Sequence, residues 1–236
     1  MKNIINTMRF SLFLYFRSPK MVIPILAEAI FLFVMYFNTQ LPDISEVLAV
    51  TAFFTFYIMM WIGNSVFTMR NVRVSEMVRV RIGRFRQDIS DCLLISVYAL
   101  ITMIISFMLP FIFSSNKMNF LIMMVSSICI WLCGITGGIV AKFINKFITD
   151  RKMTTLILVF IAILTIARKA IVMQLNWLKI ILVIMPPIDY VGKCFNMGNS
   201  SLDIEKMLIF SLILIVYIII VGGVSMLGRK EDNGFE

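Results

Sequence analysis

The sequence predicts an all-α integral membrane protein. Of its 236 residues, 60% are hydrophobic and only 15% charged, and the mean hydropathy is +0.95. Soluble domains run near half apolar and about a quarter charged. A water-soluble fold has no interior for 21 Phe and 19 Met beside this much Ile and Leu. A spanning helix takes about 20 apolar residues, so roughly six or seven spans with short loops use up the chain. No stretch remains for a soluble catalytic domain, and no linker or repeat divides the chain, so 1–236 forms one transmembrane domain.

The elements follow in order. Over residues 4–16, Ile5, Met8, Leu12 and Tyr15 recur at helical spacing while Arg9 and Arg17 flank them. This stretch is too short to span and is expected to lie on the membrane surface. The first span is expected at 21–37 and the second at 47–69, joined by the turn NTQLPDISE. A basic segment leads to a third span at 92–113, the turn SSNKMN to a fourth at 120–141, and a second basic loop to a short fifth span at 153–167. Residues 169–194 hold the apolar run Ile180–Met185 ending in Pro186-Pro187, with Lys169 and Lys179 close by. They read better as a segment that dips into the membrane and returns, buried by protein, than as a seventh span. The last span is expected at 207–227, before a polar tail. With six spans and both termini inside, sixteen of the 22 Lys and Arg fall on the cytoplasmic side, as the positive-inside rule requires.

Composition excludes much chemistry. The chain has no histidine, which removes His-based zinc and haem sites and Ser/His hydrolysis. It has no G-x-x-x-x-G-K-[ST], hence no phosphate-binding loop of its own. Cys129 and Cys133 lie one helical turn apart in an apolar run, and with Cys92 and Cys194 they read as packing residues. The net charge of +9 is spread between apolar spans, a membrane pattern with no nucleic-acid partner implied. Gln87–Asp91 contains D-x-x-D, but a diphosphate site needs a second acidic cluster to hold Mg²⁺. These aspartates are expected to offset the neighbouring arginines.

Several residues stand out from the apolar background. In the segment 72–86, drawn as a helix, Val74, Val78, Ile82 and Phe85 form one stripe, Arg73 and Glu76 share the remaining surface, and Gly83 marks a bend. Such a helix suits the groove of a soluble partner and equally suits anionic lipid. Glu28 lies about 12 Å inside the first span at 1.5 Å per residue, where a carboxyl is costly unless paired or protonated. Thr55 or Asn64 on the second span is within possible hydrogen-bonding register. Glu28 is therefore either a substrate-path or gating residue, with Thr55 and Asn64, or a protonated glutamate bonded between helices. Gly134 and Gly138 form G-x-x-x-G, and Gly222-Gly223 lies low in the last span. Small residues permit close helix packing.

Order and spacing resemble a known family. An amphipathic N-terminal helix ending in FRSPK runs directly into the first span, a basic helix with Glu76 joins spans two and three, the fifth span is short, and a partly apolar segment with Pro186-Pro187 precedes the last. Across essentially the whole chain this topology is similar to the permease subunit of an ABC-2-type ABC transporter. The resemblance implies that 4–16 is an interfacial elbow helix and 169–194 a re-entrant external hairpin. It implies that Glu76, Met77, Val78, Arg79 and Ile82 form a cytoplasmic coupling helix entering a separate ATPase. Many members carry a proline after this helix, where only Gly83 stands here. Two permeases, identical or homologous, would pair in a bacterial plasma membrane above two ATPase subunits that bind ATP and Mg²⁺. This chain itself would hold no catalytic residue, cofactor or metal. The few polar groups in the spans favour a hydrophobic or amphipathic cargo, such as an antimicrobial peptide, bacteriocin or drug. The competing expectation is a membrane binding or sensor protein that recruits a cytoplasmic partner without ATP-driven transport.

Overall fold

A computed structural model describes residues 2–37, 44–69, 80, 83–113, 120–148, 150–174, 185–195 and 203–227. Among the described residues the protein is all helical. Four helices are long and apolar enough to cross a membrane by length and composition, over Glu46–Thr68, Phe85–Ser106, Phe120–Phe147 and Ile204–Leu227. They correspond to the expected second, third, fourth and last spans. Helices also occupy the expected first and fifth spans without being among these four.

Helix α1 runs over Lys2–Phe16. Ser18 then caps a 3₁₀ turn at Pro19–Met21, its side chain accepting from the Lys20 amide at 3.2 Å. Proline at this first position has no amide to leave unsatisfied. Helix α2 follows at once over Val22–Phe37, and Pro24 falls within its first turn, where it breaks no helical bond. Helix α3 spans Ile44–Met69 with Glu46 in its first turn, where a negative charge meets the positive end of the helix dipole.

Helix α4 spans Arg84–Phe113, starting eight residues before the expected third span. Gly83, with φ +84°, precedes it directly, so the expected bend coincides with a left-handed backbone conformation that favours glycine. Helix α5 spans Phe120–Phe147 and outlasts its expected end by six residues. Both extensions share one feature: Asp88 at the start of α4 and Lys142 and Lys146 near the end of α5 turn inward and pair, so the helices need not stop where hydropathy falls. Helix α6, Arg151–Gln174, is capped by Asp150, which accepts from the Lys152 amide at 3.0 Å. It continues past Arg168 to Gln174, so residues 169–174, expected within the re-entrant region, are a continuation of the helix. After a second 3₁₀ turn, Ile188–Tyr190, the short α7 covers Val191–Cys194, and α8 covers Ile204–Leu227.

The centre of the molecule is the α3–α5 pair, and its closeness comes from glycine. A Cβ on Gly137 would overlap the main-chain carbonyl of Phe56, and one on Gly138 would overlap the Ile95 side chain. A Cβ on Gly134 would sit 3.0 Å from that of Ala99, and one on Gly63 2.9 Å from that of Ala141. Around this seam Phe56, Ile130, Phe210, Met207, Val191 and Phe195 form one core, and Tyr15, Ile62, Leu94, Ile95 and Tyr98 form a second. Outward faces are apolar as well: Ile30 and Phe33 on α2, Leu156, Phe160 and Ile163 on α6, and Leu212 and Ile219 on α8 are all exposed. Apolar exposure on this scale marks a surface covered by something other than water.

Candidate functional site

Polar groups are scarce enough here that each buried one needs a partner, and the partners outline four places. The first joins the N-terminal helices to α4. Ser90 Oγ donates to the Ile4 carbonyl at 3.3 Å, and the Tyr15 and Tyr98 rings meet edge to face at 5.3 Å. Further along, Ser106 Oγ donates to Glu28 Oε1 at 2.9 Å. These three α4 positions are eight residues apart, about 12 Å of helix, so α1 and then α2 climb obliquely along α4. Phe31 stacks on Phe54 with centroids 3.7 Å apart, holding α2 to α3 on its other side.

The hydroxyl that reaches Glu28 is therefore Ser106 and not Thr55 or Asn64. Thr55 is buried against the α3–α5 seam and donates to its own helix, to the Thr51 carbonyl at 2.8 Å. Asn64 turns toward the opposite flank. Its Nδ2 donates to Thr155 Oγ1 at 3.3 Å, and its Oδ1 accepts from Asn145 Nδ2 at 3.1 Å. Two turns along α3, Tyr57 and Thr165 share a hydroxyl hydrogen bond of 3.0 Å. Thus α6 is tied to α3 through side-chain amides and hydroxyls, the second place.

The third is an ion cluster at the end of the bundle where α4 begins. Lys142 Nζ lies 3.2 Å from Asp88 Oδ1 and donates to the Asp88 main-chain carbonyl at 2.9 Å. Lys146 Nζ lies 3.1 Å from Asp88 Oδ2 and also donates to the Ser225 carbonyl in the last turn of α8. Lys142 and Asp88 are 4% and 8% exposed. Asp88 therefore pairs with lysines 54 and 58 residues away rather than with the neighbouring arginines. Lys146 reaches a carbonyl in the last turn of α8, where a cation complements the negative end of the helix dipole. Cys92 Sγ completes the surroundings of Lys142 at 3.5 Å.

The fourth is the Pro-Pro segment. Arg168 Nη1 donates to the Pro186 carbonyl at 3.3 Å. Ile188, Val191, Cys194 and Phe195 are buried against Leu48 and Ala49 of α3 and Met207 and Phe210 of α8. Its apolar side chains close one end of the bundle while Lys193 faces the Tyr190 ring at 5.2 Å.

The remaining sequence candidates separate. Gly134 and Gly138 lie in the intramolecular α3–α5–α4 packing. Gly222 and Gly223 do not: a Cβ on either meets no atom within 4 Å. Glu76, Met77, Val78, Arg79 and Ile82 lie outside the described residues, as do most of the segment 72–86 and residues 175–184. The cysteines are thiols, and Cys129 Sγ is 3.1 Å from Ser211 Oγ in the core. No cluster of three His, Cys, Asp or Glu side chains that could hold a metal occurs among the described residues.

Sequence reasoning did not single out Ser106, Lys142, Lys146 or Asn145. Lys142 carried the clearest signal, an ammonium directly continuing an apolar run. Ser106 carried only its place among the few hydroxyls of its span. Comparison with protein-family models, with curated proteins and with solved structures finds no match to this chain.

Proposed function

We propose that this chain is the permease subunit of an ATP-driven ABC exporter, moving a hydrophobic or amphipathic substrate across a bacterial plasma membrane with a separate ATPase. In this reading α2, α3, α4, α5, α6 and α8 are six spans, both termini are cytoplasmic, α1 is the elbow helix, and the Pro-Pro segment is the external re-entrant hairpin. The observation that carries the reading is the arrangement at one end of the bundle. The basic segment 70–82 leaves α3 and enters α4 through Gly83. The first turns of α4 are then fastened by Asp88 to α5, and through Lys146 to the end of α8. A push delivered to that segment passes into three long helices at once.

Glu76, Met77, Val78, Arg79 and Ile82 supply the docking surface for the ATPase in this proposal, and two permeases pair over two ATPases. The apolar outer faces of α2, α6 and α8 support a membrane setting, and the scarcity of charge inside supports an amphipathic peptide or drug as cargo. The test is co-expression with an ABC ATPase encoded beside this chain, purification through a tag on this chain, and ATPase assay in lipid nanodiscs. Val78→Asp/Ile82→Asp is expected to abolish co-purification, and Glu76→Ala to lower lipid-dependent ATPase activity. An ATPase that never associates, or that ignores both changes, overturns the proposal in favour of a sensor protein.

A further inference from the structure

We propose that Glu28 is a proton-binding site within the membrane, its carboxyl group carrying a proton while α2 is closed against α4 and releasing it only when that contact opens to water. Glu28 and Ser106 are each 2% exposed, and a single hydroxyl donor, Ser106 Oγ at 2.9 Å, reaches the carboxyl among the described residues. An ionised carboxylate removed from water needs a cation or several donors. The helices around it supply neither. Residues 21–69, which include α2 and α3, contain no Lys or Arg, and α4 is uncharged from Cys92 to Phe113.

The charged groups on the packed elements are all remote. On α3 it is Glu46, exposed in the first turn. On α4, Arg84, Arg86, Asp88 and Asp91 lie fifteen or more residues before Ser106, about 22 Å along the helix. Lys20, in the turn before α2, is exposed and eight residues from Glu28, about 12 Å along the chain. A neutral carboxylic acid, by contrast, carries no charge to compensate, and its carbonyl oxygen accepts from Ser106. A cationic cargo group cannot take the proton's place while α2 and α4 are closed, since the pair leaves Glu28 almost no surface. Parting α2 from α4 hydrates the carboxyl and frees the proton, so movement of this helix pair is linked to proton release and its reclosure to proton uptake. The inference rests on α2 lying in the membrane and not on ATP-driven transport.

The test uses the full chain in lipid nanodiscs at about pH 7, where ordinary carboxyls are ionised. Infrared spectra are expected to show a protonated-carboxyl carbonyl band that Glu28→Gln removes and that Ser106→Ala moves to higher wavenumber, because the carbonyl loses its donor. Dicyclohexylcarbodiimide provides an independent probe. The carboxyl oxygen bonds to its central carbon, the carboxyl proton passes to its nitrogen, and acyl migration from oxygen to nitrogen leaves a stable adduct. Mass mapping is expected to place that adduct on Glu28. If Glu28→Gln does not fold, the Ser106→Ala band shift and the wild-type adduct decide alone. A spectrum with only ionised carboxylates, or an adduct absent from Glu28, overturns the inference and leaves the transporter reading untouched. Loss of ATPase association would leave the proton site standing.

Discussion

Lys142 holds Asp88 twice, its ammonium 2.9 Å from the aspartate's main-chain carbonyl and 3.2 Å from its carboxylate. One side chain of α5 thereby fixes both the backbone and the side chain of α4 at a single position. Lys146 takes the other carboxylate oxygen from the next turn of α5. Desolvation offsets much of the attraction in such a cluster, but removing one member leaves the others buried and uncompensated.

Asp88→Asn is therefore expected to destabilise the protein by about 3–5 kcal/mol, since it removes the carboxylate charge that Lys142 and Lys146 share. Lys142→Met is expected to cost less, because Lys146 continues to pair with Asp88. Thermal unfolding in detergent, followed by circular dichroism, measures both. Equal losses would mean that Lys142 and Lys146 do not share the carboxylate as described.

Glycine positions separate into two classes. Gly137→Ala is expected to destabilise by about 1–3 kcal/mol or more, because the new methyl group drives into the Phe56 carbonyl and α3 must shift. Gly222→Ala and Gly223→Ala meet open space. They are expected to stay within about 0.5 kcal/mol of wild type or to gain slightly from helix propensity. Side-by-side melting curves of the three variants test this contrast.

The polar tie between α3 and α6 should yield to single-atom edits. Tyr57→Phe and Thr165→Val each remove the 3.0 Å hydroxyl bond, with an expected coupling of about 0.6 kcal/mol, the average for interhelical hydrogen bonds in a membrane protein. A double-mutant cycle reads the coupling directly, and a value indistinguishable from zero would show that this hydroxyl pair does not help to hold α6.

At the start of α8, the Lys206 hydrogen bond to the Asp203 carboxylate, 3.0 Å away, holds that carboxyl below its usual range. Asp203 also accepts from the Glu205 amide at 3.2 Å. A carboxyl depressed in the folded state contributes stability above its unfolded pKa of about 4, and that contribution is lost as pH falls through the lower folded value. Asp203→Asn is expected to flatten this acid limb by lowering stability slightly at neutral pH, while stability below the folded value, where the wild-type carboxyl is already protonated, stays nearly unchanged. Unfolding of both proteins across the acid range measures it.

Hydropathy located helices at all six expected spans because the bilayer, like a core, selects for continuous apolar runs. It misplaced their ends for a reason visible at Asp88, Lys142 and Arg168. A charge in sequence lowers local hydropathy whether it faces water or a partner, so α4, α5 and α6 all extend beyond the windows where hydropathy alone stops. Asp88 looked like a partner for nearby arginines because sequence displays only near neighbours, whereas its lysines arrive through the antiparallel return of α5. Glu28 was legible as an isolated carboxyl in an apolar run, but Ser106, 78 residues away, was not, since position along a helix is visible in sequence and relative rotation is not. Gly134 and Gly138 were legible from spacing. Gly137 stands beside that motif, but its approach to the Phe56 carbonyl was not legible, nor was Gly63 opposite Gly138 and Ala141, because these contacts exist only when α3 and α5 are set side by side.

Where Gly137 meets Phe56, main chain lies against main chain with no layer of side chains between. Side chains can rotate out of the way, but peptide units cannot, so α3 and α5 have nothing to lubricate a slide and behave as a girder. Any change of shape in this molecule must then be hung from that girder: on one side through α2, resting on a serine hydroxyl and a stacked pair of rings, and on the other through α6, resting on amides and hydroxyls that can exchange partners within a turn.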